Sequence, residues 1–360
     1  MKNLLVTGGA GFIGSNFVRL MLSERKDCRL VVLDALTYAG NLENLEDVLD
    51  DFVFVRGDIC DGKLVDEILR KYDIDTVVNF AAESHVDRSI SDPSVFVRTN
   101  VLGTQTLLDC ARRYWKACDS DKCQTYRDDV RFLQVSTDET YGDITGDYKF
   151  TEKTPIAPSS PYSASKAGAD HLVMAYRRTY KMPVNITRCS NNYGPYQFPE
   201  KLIPVVIQKA LSDSRIPVYG DGMQIRDWIH VEDHCRGIKA VLERGRVGDV
   251  YNIGSDNERA NIEIVRLILR ALGKPESLIE HVTDRLGHDR HYAIDSSKIM
   301  SELGWRPTHT FEEGIQSTIR WYVEHGKWME NILSGEYMAF NETIAASASD
   351  ILDRQHPPVA

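Results

Sequence analysis

The chain is predicted to be an α/β protein, a doubly wound parallel sheet carrying a smaller mixed α/β lobe. Three observations lead there. Short β-branched runs alternate with longer stretches of helical period through the first half of the chain. A glycine-rich turn follows the first run and opens the first helix. Past residue 190 the grammar changes, as Pro195, Pro199, Pro204 and Pro217 cut the chain into shorter pieces. The 360 residues are too many for one ordinary domain of about 100–200 and few for three, which favours two lobes sharing one cleft.

Residues 2–7 are mostly apolar and end at the glycines, as a first buried strand does. Ile13, Phe17, Leu20 and Met21 then recur on one helical face. Segments 29–33, 52–56, 76–80, 131–135 and 184–188 repeat the short apolar theme and predict five more buried strands. Between them 63–71, 95–113 and 163–180 carry helical periodicity, so strand and crossover helix repeat into one sheet. The repetition is architectural, without an internal sequence repeat. Further on, 232–243 reads as an amphipathic helix returning to the first lobe, and 262–272, 296–303 and 311–324 as further helices. The predicted division is 1–190 with 226–254 returning to it, a second lobe from 191–225 and 255–330, and a tail over 331–360. Apolar periodicity fades after Lys327, and 345–360 reads as a tail or surface strap.

Residues 7–14 are Thr-Gly-Gly-Ala-Gly-Phe-Ile-Gly. Gly9, Gly11 and Gly14 satisfy Gly-x-Gly-x-x-Gly, and Gly8, Gly11 and Gly14 satisfy Gly-x-x-Gly-x-x-Gly. Without side chains the turn tightens, and backbone amides reach a pyrophosphate held at the helix N-terminus. Asp34 ends the second strand twenty residues after Gly14, where a carboxylate accepts the ribose hydroxyls of NAD and repels the 2′-phosphate of NADP. Together these predict a Rossmann unit for NAD, with Asp58 after the third strand able to meet the adenine edge or to cap the next helix.

Tyr162 and Lys166 stand four residues apart at the start of a predicted helix and point the same way. An ammonium beside a phenol favours phenolate, so the spacing predicts a lowered tyrosine pKa and a base for a sugar hydroxyl.

The glycine turn, Asn79-Phe-Ala-Ala-Glu-Ser-His85, Ser136-Thr-Asp-Glu-Thr-Tyr-Gly142 and Pro161-Tyr-Ser-Ala-Ser-Lys166 resemble the extended short-chain dehydrogenase/reductase superfamily. Asn191-Asn-Tyr-Gly-Pro-Tyr-Gln197, Arg226-Asp-Trp-Ile-His-Val-Glu-Asp-His234, Asn252-Ile-Gly254 and Asp284-Arg-Leu-Gly-His-Asp289 carry the resemblance to its NAD-dependent nucleotide-sugar epimerase/dehydratase family, from residue 1 to about 330. The superfamily motifs do not specify a reaction. The acidic pair Asp138-Glu139 does, and it resembles that of the 4,6-dehydratases.

Alone, adjacent carboxylates after a strand mark a solvated turn. A dehydration gives them work, because the leaving hydroxyl needs a proton and the neighbouring carbon must lose one. One ionised carboxyl raises the pKa of the other, so the two can divide the roles. The resemblance implies dTDP-glucose as substrate. Tyr162 takes the C4 hydroxyl proton as hydride passes to NAD+. Glu139 removes the C5 proton, Asp138 protonates the departing C6 hydroxyl, and hydride returns to C6. Thr137 is implied as a hydrogen-bond donor to the C4 oxygen, and Lys166 as a ligand of the nicotinamide ribose.

By the same resemblance Phe12 and Ile13 line the cofactor turn, and Asp34, Ala35, Leu36 and Thr37 hold the adenosine ribose. Asp58 and Ile59 flank adenine; Phe80, Ala81, Ala82, Ser84, Thr99 and Asn192 are further cofactor positions. Ser84, Thr137, Asn191, Lys201, Leu202, Pro217, Tyr219, Arg226, Asn261, Arg285 and His288 fall at nucleotide-sugar positions. Arg226 and Arg285 suit a diphosphate through their planar forks; Lys201 and Tyr219 read equally as core-edge packing. Thr140 stands where the family carries valine, and residues 115–129 form an insert without a family counterpart. A homodimer joined through 95–113 and 163–180 is also implied.

With 43 Lys+Arg against 53 Asp+Glu, the net charge of −10 argues against nucleic acid or an anionic membrane as partner. No run approaches eighteen apolar residues, and the early glycines cut short any signal-peptide core. Seven scattered cysteines predict reduced thiols and a cytoplasmic protein, with Cys118 and Cys123 as residues of the polar insert. His230 and His234 are four apart, but no third ligand is placed by the spacing, so no metal is expected. The rival readings are an NAD-dependent epimerase or decarboxylase of nucleotide sugars, which needs no acid/base pair for C5 and C6, and a non-catalytic NAD-sensing module, which needs neither pair.

Overall fold

Leu4, Leu5 and Val6 have apolar neighbours above, below and on both sides, which is how a strand buried on two faces reads. The computed structural model describes residues 1–144, 146 and 148–355, with side chains through 346. Its principal strands are β1 (Asn3–Thr7), β2 (Arg29–Asp34), β3 (Val53–Arg56), β4 (Thr76–Asn79), β5 (Arg131–Thr137) and β6 (Val184–Cys189). After them come β7 (Asn191–Tyr193), β8 (Ile216–Tyr219), β9 (Ile225–His230), β10 (Val250–Ile253), β11 (Glu258–Ala260) and β12 (Ile279–Val282). Seven strands form one parallel sheet in the order β10-β6-β5-β4-β1-β2-β3. The six expected strands are all present, and β10 adds a seventh at the edge. Four residues after a polar turn carried too little pattern to announce it.

Two apolar layers cover the sheet. On one face Phe17, Val18 and Met21 pack with Ile238, Val241, Tyr251 and Ile299. On the other Val65, Ile68, Leu107, Leu108 and Trp115 pack with Val173 and Tyr176. The Trp115 indole donates to the carbonyl of Ile74 at 2.7 Å, which satisfies the one polar atom of a fully buried ring. The helix expected over 95–113 is broken: Pro93–Phe96 leads into a π-helical stretch, Val97–Gly103, and then Thr104–Trp115. The stretch ends at Gly103, where a Cβ would lie 2.4 Å from the Ile59 side chain, so glycine allows that close approach.

The second lobe is mixed, as expected. β9 lies between β7, to which it is parallel, and β11, to which it is antiparallel, while β8 and β12 form a parallel pair. Its core joins Ile207, Val265, Ile268, Ile315 and Ile319. Two boundaries differ from the reading of the sequence. β9 belongs to the lobe's own sheet, so the return to the large sheet begins at the helix Val231–Arg244. The helix Ser297–Leu303 also leaves the second lobe, because Ile299 and Leu303 pack with Ile238 and Tyr251.

The expected tail over 331–360 is helical as far as it is described, in Gly326–Ser334 and Glu336–Gln355; residues 356–360 lie outside the described residues. Its apolar pattern is weak because much of its attachment is polar. Asn341 accepts from Leu42 N and donates to Gly40 O, both at 2.8 Å, Tyr337 donates to Tyr38 O at 2.8 Å, and the Trp328 indole donates to Asn44 at 2.9 Å. These helices therefore brace the segment after β2.

The insert also departs from expectation. Cys118 and Cys123 are joined as a disulfide, and the other five cysteines are free. Ala117 N donates to Thr125 O and Arg127 N to Trp115 O, folding the insert back so that the two Cα atoms stand 5.9 Å apart. Among the described residues no helix is long and apolar enough to cross a membrane.

Candidate active site

β1 has β2 on one side and β4 on the other, so chain order reverses beside it and leaves a crevice at the carboxyl ends of the strands. The glycine turn closes the floor. Gly8 has φ 69°, and a Cβ there would lie 2.6 Å from Ala81 N; a Cβ on Gly14 would lie 2.2 Å from Gly8 O. Both positions exclude any side chain. The helix Phe12–Glu24 starts from Gly11 with no side-chain cap, so its first amides remain available to an anion in the cleft.

Along this cleft lie Gly8, Gly11, Phe12, Ile13, Gly14, Asp34, Thr37, Phe80, Ala81, Ala82 and Ser84 at one end. Thr137, Asp138, Glu139, Tyr162, Lys166, Asn191, Asn192 and Lys201 line the other. Residues far apart in the chain thus meet in one groove. Asp34, on the cleft lining, accepts from Ala10 N at 2.9 Å through Oδ2 and from Leu36 N at 2.8 Å through Oδ1, and each oxygen keeps a lone pair for the ribose hydroxyls expected there. It thereby ties the glycine turn to the segment after β2, with Leu36 at φ 53°.

Five expected cofactor residues stand off the lining. Ala35 and Leu36 follow Asp34, Asp58 accepts from Cys60 N at 2.8 Å, Ile59 is buried against Gly103, and Thr99 lies in the π-helical stretch. Seven expected sugar-nucleotide residues also lie beyond it, on second-lobe elements. Leu202 and Asn261 open helices, Pro217 and Tyr219 are in β8, Arg226 is in β9, and Arg285 and His288 follow β12. Several of these meet: the Tyr219 hydroxyl donates to Asp87 at 3.1 Å, Arg285 stands 4.0 Å from the same carboxylate, and the rings of Tyr219 and His288 are 6.1 Å apart edge to face. Arg226 is buried, donates to Ile225 O and Asp289 O, and lies over the Tyr292 ring.

Sequence reasoning missed Tyr38, Gly40, Cys189, Ser190, Gln197, Phe198 and Glu200, all on the cleft. Cys189 ends β6, and residues at carboxyl ends of parallel strands were a usable signal. Tyr38 and Gly40 had none, since their place depends on the C-terminal helices.

The cluster expected to carry the chemistry is built from two local structures. β5 ends in Thr137, whose Oγ1 accepts from Glu139 N at 3.3 Å and caps the turn Asp138–Tyr141. Thr140 donates to Thr137 O at 2.9 Å, so the hydroxyl that replaces valine closes the same turn. The helix Pro161–Tyr180 starts from a capping box between Ser160 and Ser163, with Pro161 in its first turn. That start sets Tyr162 beside the carboxylates and Lys166 against the end of β5.

Burial, then the neighbouring Glu139 and Asp227, push the Asp138 carboxyl well above its ordinary range. Its Oδ2 is buried with no hydrogen-bond partner among the described residues. Burial also raises Glu139, but Arg285, Arg226 and Lys201 oppose it. Both carboxyls are raised, Asp138 the further because three cations face Glu139, which fits the acid and the base expected of them. Tyr162 corrects the reading of the spacing: burial and Glu139 push its phenol well up rather than down, with a hydrogen bond to Thr137 opposing them. Lys166 donates to Val135 O at 2.7 Å, and burial lowers its pKa.

His230 and His234 do not form a pair. His230 approaches Glu232 and His309 instead, while His234 points to Asn192. The rings of His230 and His309 are stacked with centroids 4.0 Å apart and 28° between planes. Lone pairs in nearly parallel planes do not converge on one ion, and His309 Nδ1 is engaged with Asp233 at 3.0 Å.

The model of the family described as GDP-mannose 4,6 dehydratase matches residues 5–318. A dTDP-glucose 4,6-dehydratase of Xanthomonas campestris pv. campestris is 56% identical over 348 residues, covering 94% of this chain and 97% of that protein. The chain belongs to the dTDP-glucose 4,6-dehydratase family. Solved dehydratases of that name share its fold. The enzyme of Streptomyces venezuelae is 49% identical with a TM-score of 0.85, covering 92% of this chain and 99% of its own, and was solved with NAD bound. That of Bacillus anthracis, also with NAD, is 48% identical with a TM-score of 0.83, covering 92% of this chain and 100% of its own.

Proposed function

We propose that this dehydratase is a hydro-lyase that converts dTDP-glucose to dTDP-4-keto-6-deoxy-glucose with bound NAD+, a step of deoxysugar biosynthesis. The observation that carries the reading is the Asp138–Glu139 pair, an acid with a raised pKa beside a carboxyl faced by three cations. The cleft fits the cofactor: Gly8 and Gly14 admit backbone but no side chain, uncapped amides face the groove, and Ser136 Oγ, Ser190 Oγ and Asn191 Oδ1 are buried without partners.

Gly8 to Gly14, Thr37, Ala81, Ala82 and Asn192 would hold NAD+, with Asp34 bracing the turn and Ser84, Lys166, Asp58, Ile59 and Thr99 as the remaining cofactor positions. When bound, NAD+ supplies a hydride acceptor that is regenerated in each turnover, and a positive charge in the cleft. Tyr162 removes the C4 hydroxyl proton, and that charge favours the phenolate which burial disfavours. Thr137 donates to the oxygen at C4. Once C4 is a ketone the C5 proton is acidic, and Glu139 takes it. Asp138, still protonated, gives its proton to the C6 hydroxyl as water leaves. Arg285, whose Nε is buried without a partner, suits the sugar nucleotide's diphosphate, with Arg226 behind it and Lys201 beside it. Tyr219, His288, Pro217, Asn261 and Leu202 supply the base and ribose end.

Incubation with dTDP-glucose and NAD+, followed by mass spectrometry of the sugar nucleotide, tests the reaction. A product lighter by one water is expected. An isobaric product would instead favour 4-epimerisation, and UDP-glucose turned over equally well would remove the thymidine preference.

The reading extends to a cytoplasmic homodimer. Val97 and Leu102 are exposed apolar residues on a shallow hollow shared with Val95, Val101 and Leu172, which supports pairing with a second copy. The five scattered free thiols favour that compartment, and the Cys118–Cys123 disulfide is the one feature that does not. The cofactor part is 1–190 with 231–254 and 297–303, and 191–230 with 255–296 and 304–330 chooses the sugar nucleotide. Sedimentation showing only monomer would refute the dimer.

A further inference from the structure

One buried polar contact under the cleft has no part in the chemistry above. His234, in the helix Val231–Arg244, has no exposed surface, and its Nδ1 lies 2.8 Å from Asn192 Oδ1. Asn192 lines the cleft beside Cys189 and Ser190. The direction of its amide follows from what its neighbours can do. Asn192 Nδ2 is 3.0 Å from the carbonyl oxygen of Ser190, which only accepts, so the nitrogen faces Ser190 and Oδ1 faces His234. Oδ1 also only accepts. His234 Nδ1 therefore carries the proton, and Nε2, buried without a partner, is the bare nitrogen. Burial alone pushes the imidazole down to about 3, so the ring stays neutral.

We propose that His234 is a positioning residue: its Nδ1–H holds the Asn192 carboxamide so that the cleft wall of Cys189, Ser190 and Asn192 presents an amide donor, not an acceptor, to the bound dinucleotide. The proposal rests on the NAD reading of the cleft. A ring that could not donate would release the amide to rotate, and the carbonyl would then compete for the same place. No proton or electron moves; the contribution is orientation of a binding group.

Two variants separate donor from volume. His234→Leu fills the site without a donor, whereas His234→Asn puts a nitrogen donor two bonds from Cβ, as Nδ1 is. In protein stripped of nucleotide and titrated with NAD+ by calorimetry, His234→Leu is expected to weaken binding about tenfold, the scale of one net hydrogen bond. His234→Asn should recover most of that loss. In an Asn192→Ala background the His234→Leu effect should vanish, since both changes break one contact. Additive effects of the two substitutions would overturn the proposal. A second readout needs neither activity nor cofactor: in ¹⁵N-histidine-labelled protein the His234 ring should show the Nδ1–H neutral tautomer. An Nε2–H tautomer overturns the proposal even if His234→Leu fails to fold. A parent protein that binds no NAD+ overturns the cofactor reading itself, whereas NAD+ binding undisturbed in His234→Leu overturns only the positioning role.

Discussion

Glu139→Gln keeps the size and shape of the side chain and removes its ability to take a proton. Glu139 is faced by Arg285, Arg226 and Lys201, and none of these cations is altered. The sugar nucleotide's diphosphate should therefore bind at least as well, because the site becomes more positive. C4 oxidation depends on Tyr162 and proceeds. Loss of a positioned general base costs about 10²–10⁴ in rate, or about 3–5 kcal/mol of barrier. That loss should fall entirely on the step after oxidation. Rapid mixing with dTDP-glucose should show reduced nicotinamide absorbance rising and persisting, with no solvent deuterium entering at C5 and KM not increased. Turnover equal to the parent would refute the base assignment, and failure of the absorbance to rise would place Glu139 in the oxidation step instead.

Asp138→Asn tests the acid. A carboxyl raised by burial favours folding below its unfolded pKa of about 3.9 and loses that contribution as pH rises toward its native value. Asparagine does not titrate, so the variant should gain on the parent by up to about 1.4 kcal/mol per pH unit in that window. Melting temperatures across the window should diverge while elimination collapses; a constant difference refutes the raised pKa. Gly14→Ala puts a Cβ 2.2 Å from Gly8 O, a backbone atom that cannot step aside without opening the turn. The purified variant should carry no NAD, and stoichiometric NAD would refute the cradle. Asn341→Ala strands Leu42 N and Gly40 O, and the loss of two buried partners should destabilise by about 2–4 kcal/mol, read by denaturant titration. NAD affinity should fall with it, because Tyr38 and Gly40 line the cleft; unchanged stability and affinity would show that the C-terminal helices brace nothing.

The parts legible in the chain share a property. Each rests on residues close in sequence: β1 and its glycines, the capped turn at Thr137–Tyr141, and Tyr162 with Lys166 one helical turn apart. A period of two or 3.6 residues and the steric demand of a tight turn are local, so six of seven strands in the large sheet could be read off, while the candidate catalytic side chains came from the family resemblance. The 95–113 helix was readable as a whole but not its π-helical break, which answers to Ile59 on another element. The C-terminal helices escaped because their apolar contacts, such as Trp328, Met329, Ile332 and Tyr337, are few, and the hydrogen bonds of Trp328, Tyr337 and Asn341 that help attach them follow no period.

By itself, then, the sequence determined the fold class and the dinucleotide turn, and it named the groups proposed to carry the chemistry. Only the tertiary structure decided how those groups titrate and whom they meet. Tyr162 is pushed up, not down, because burial and Glu139 outweigh the hydrogen bond from Thr137, while Lys166 is engaged with Val135 O. Asp34 ties two backbone amides from either side of β2, and His234 answers Asn192, forty-two residues away, rather than its neighbour His230. Desolvation and hydrogen-bond partnership depend on everything that packs around an atom, and that surrounding is assembled from the whole chain.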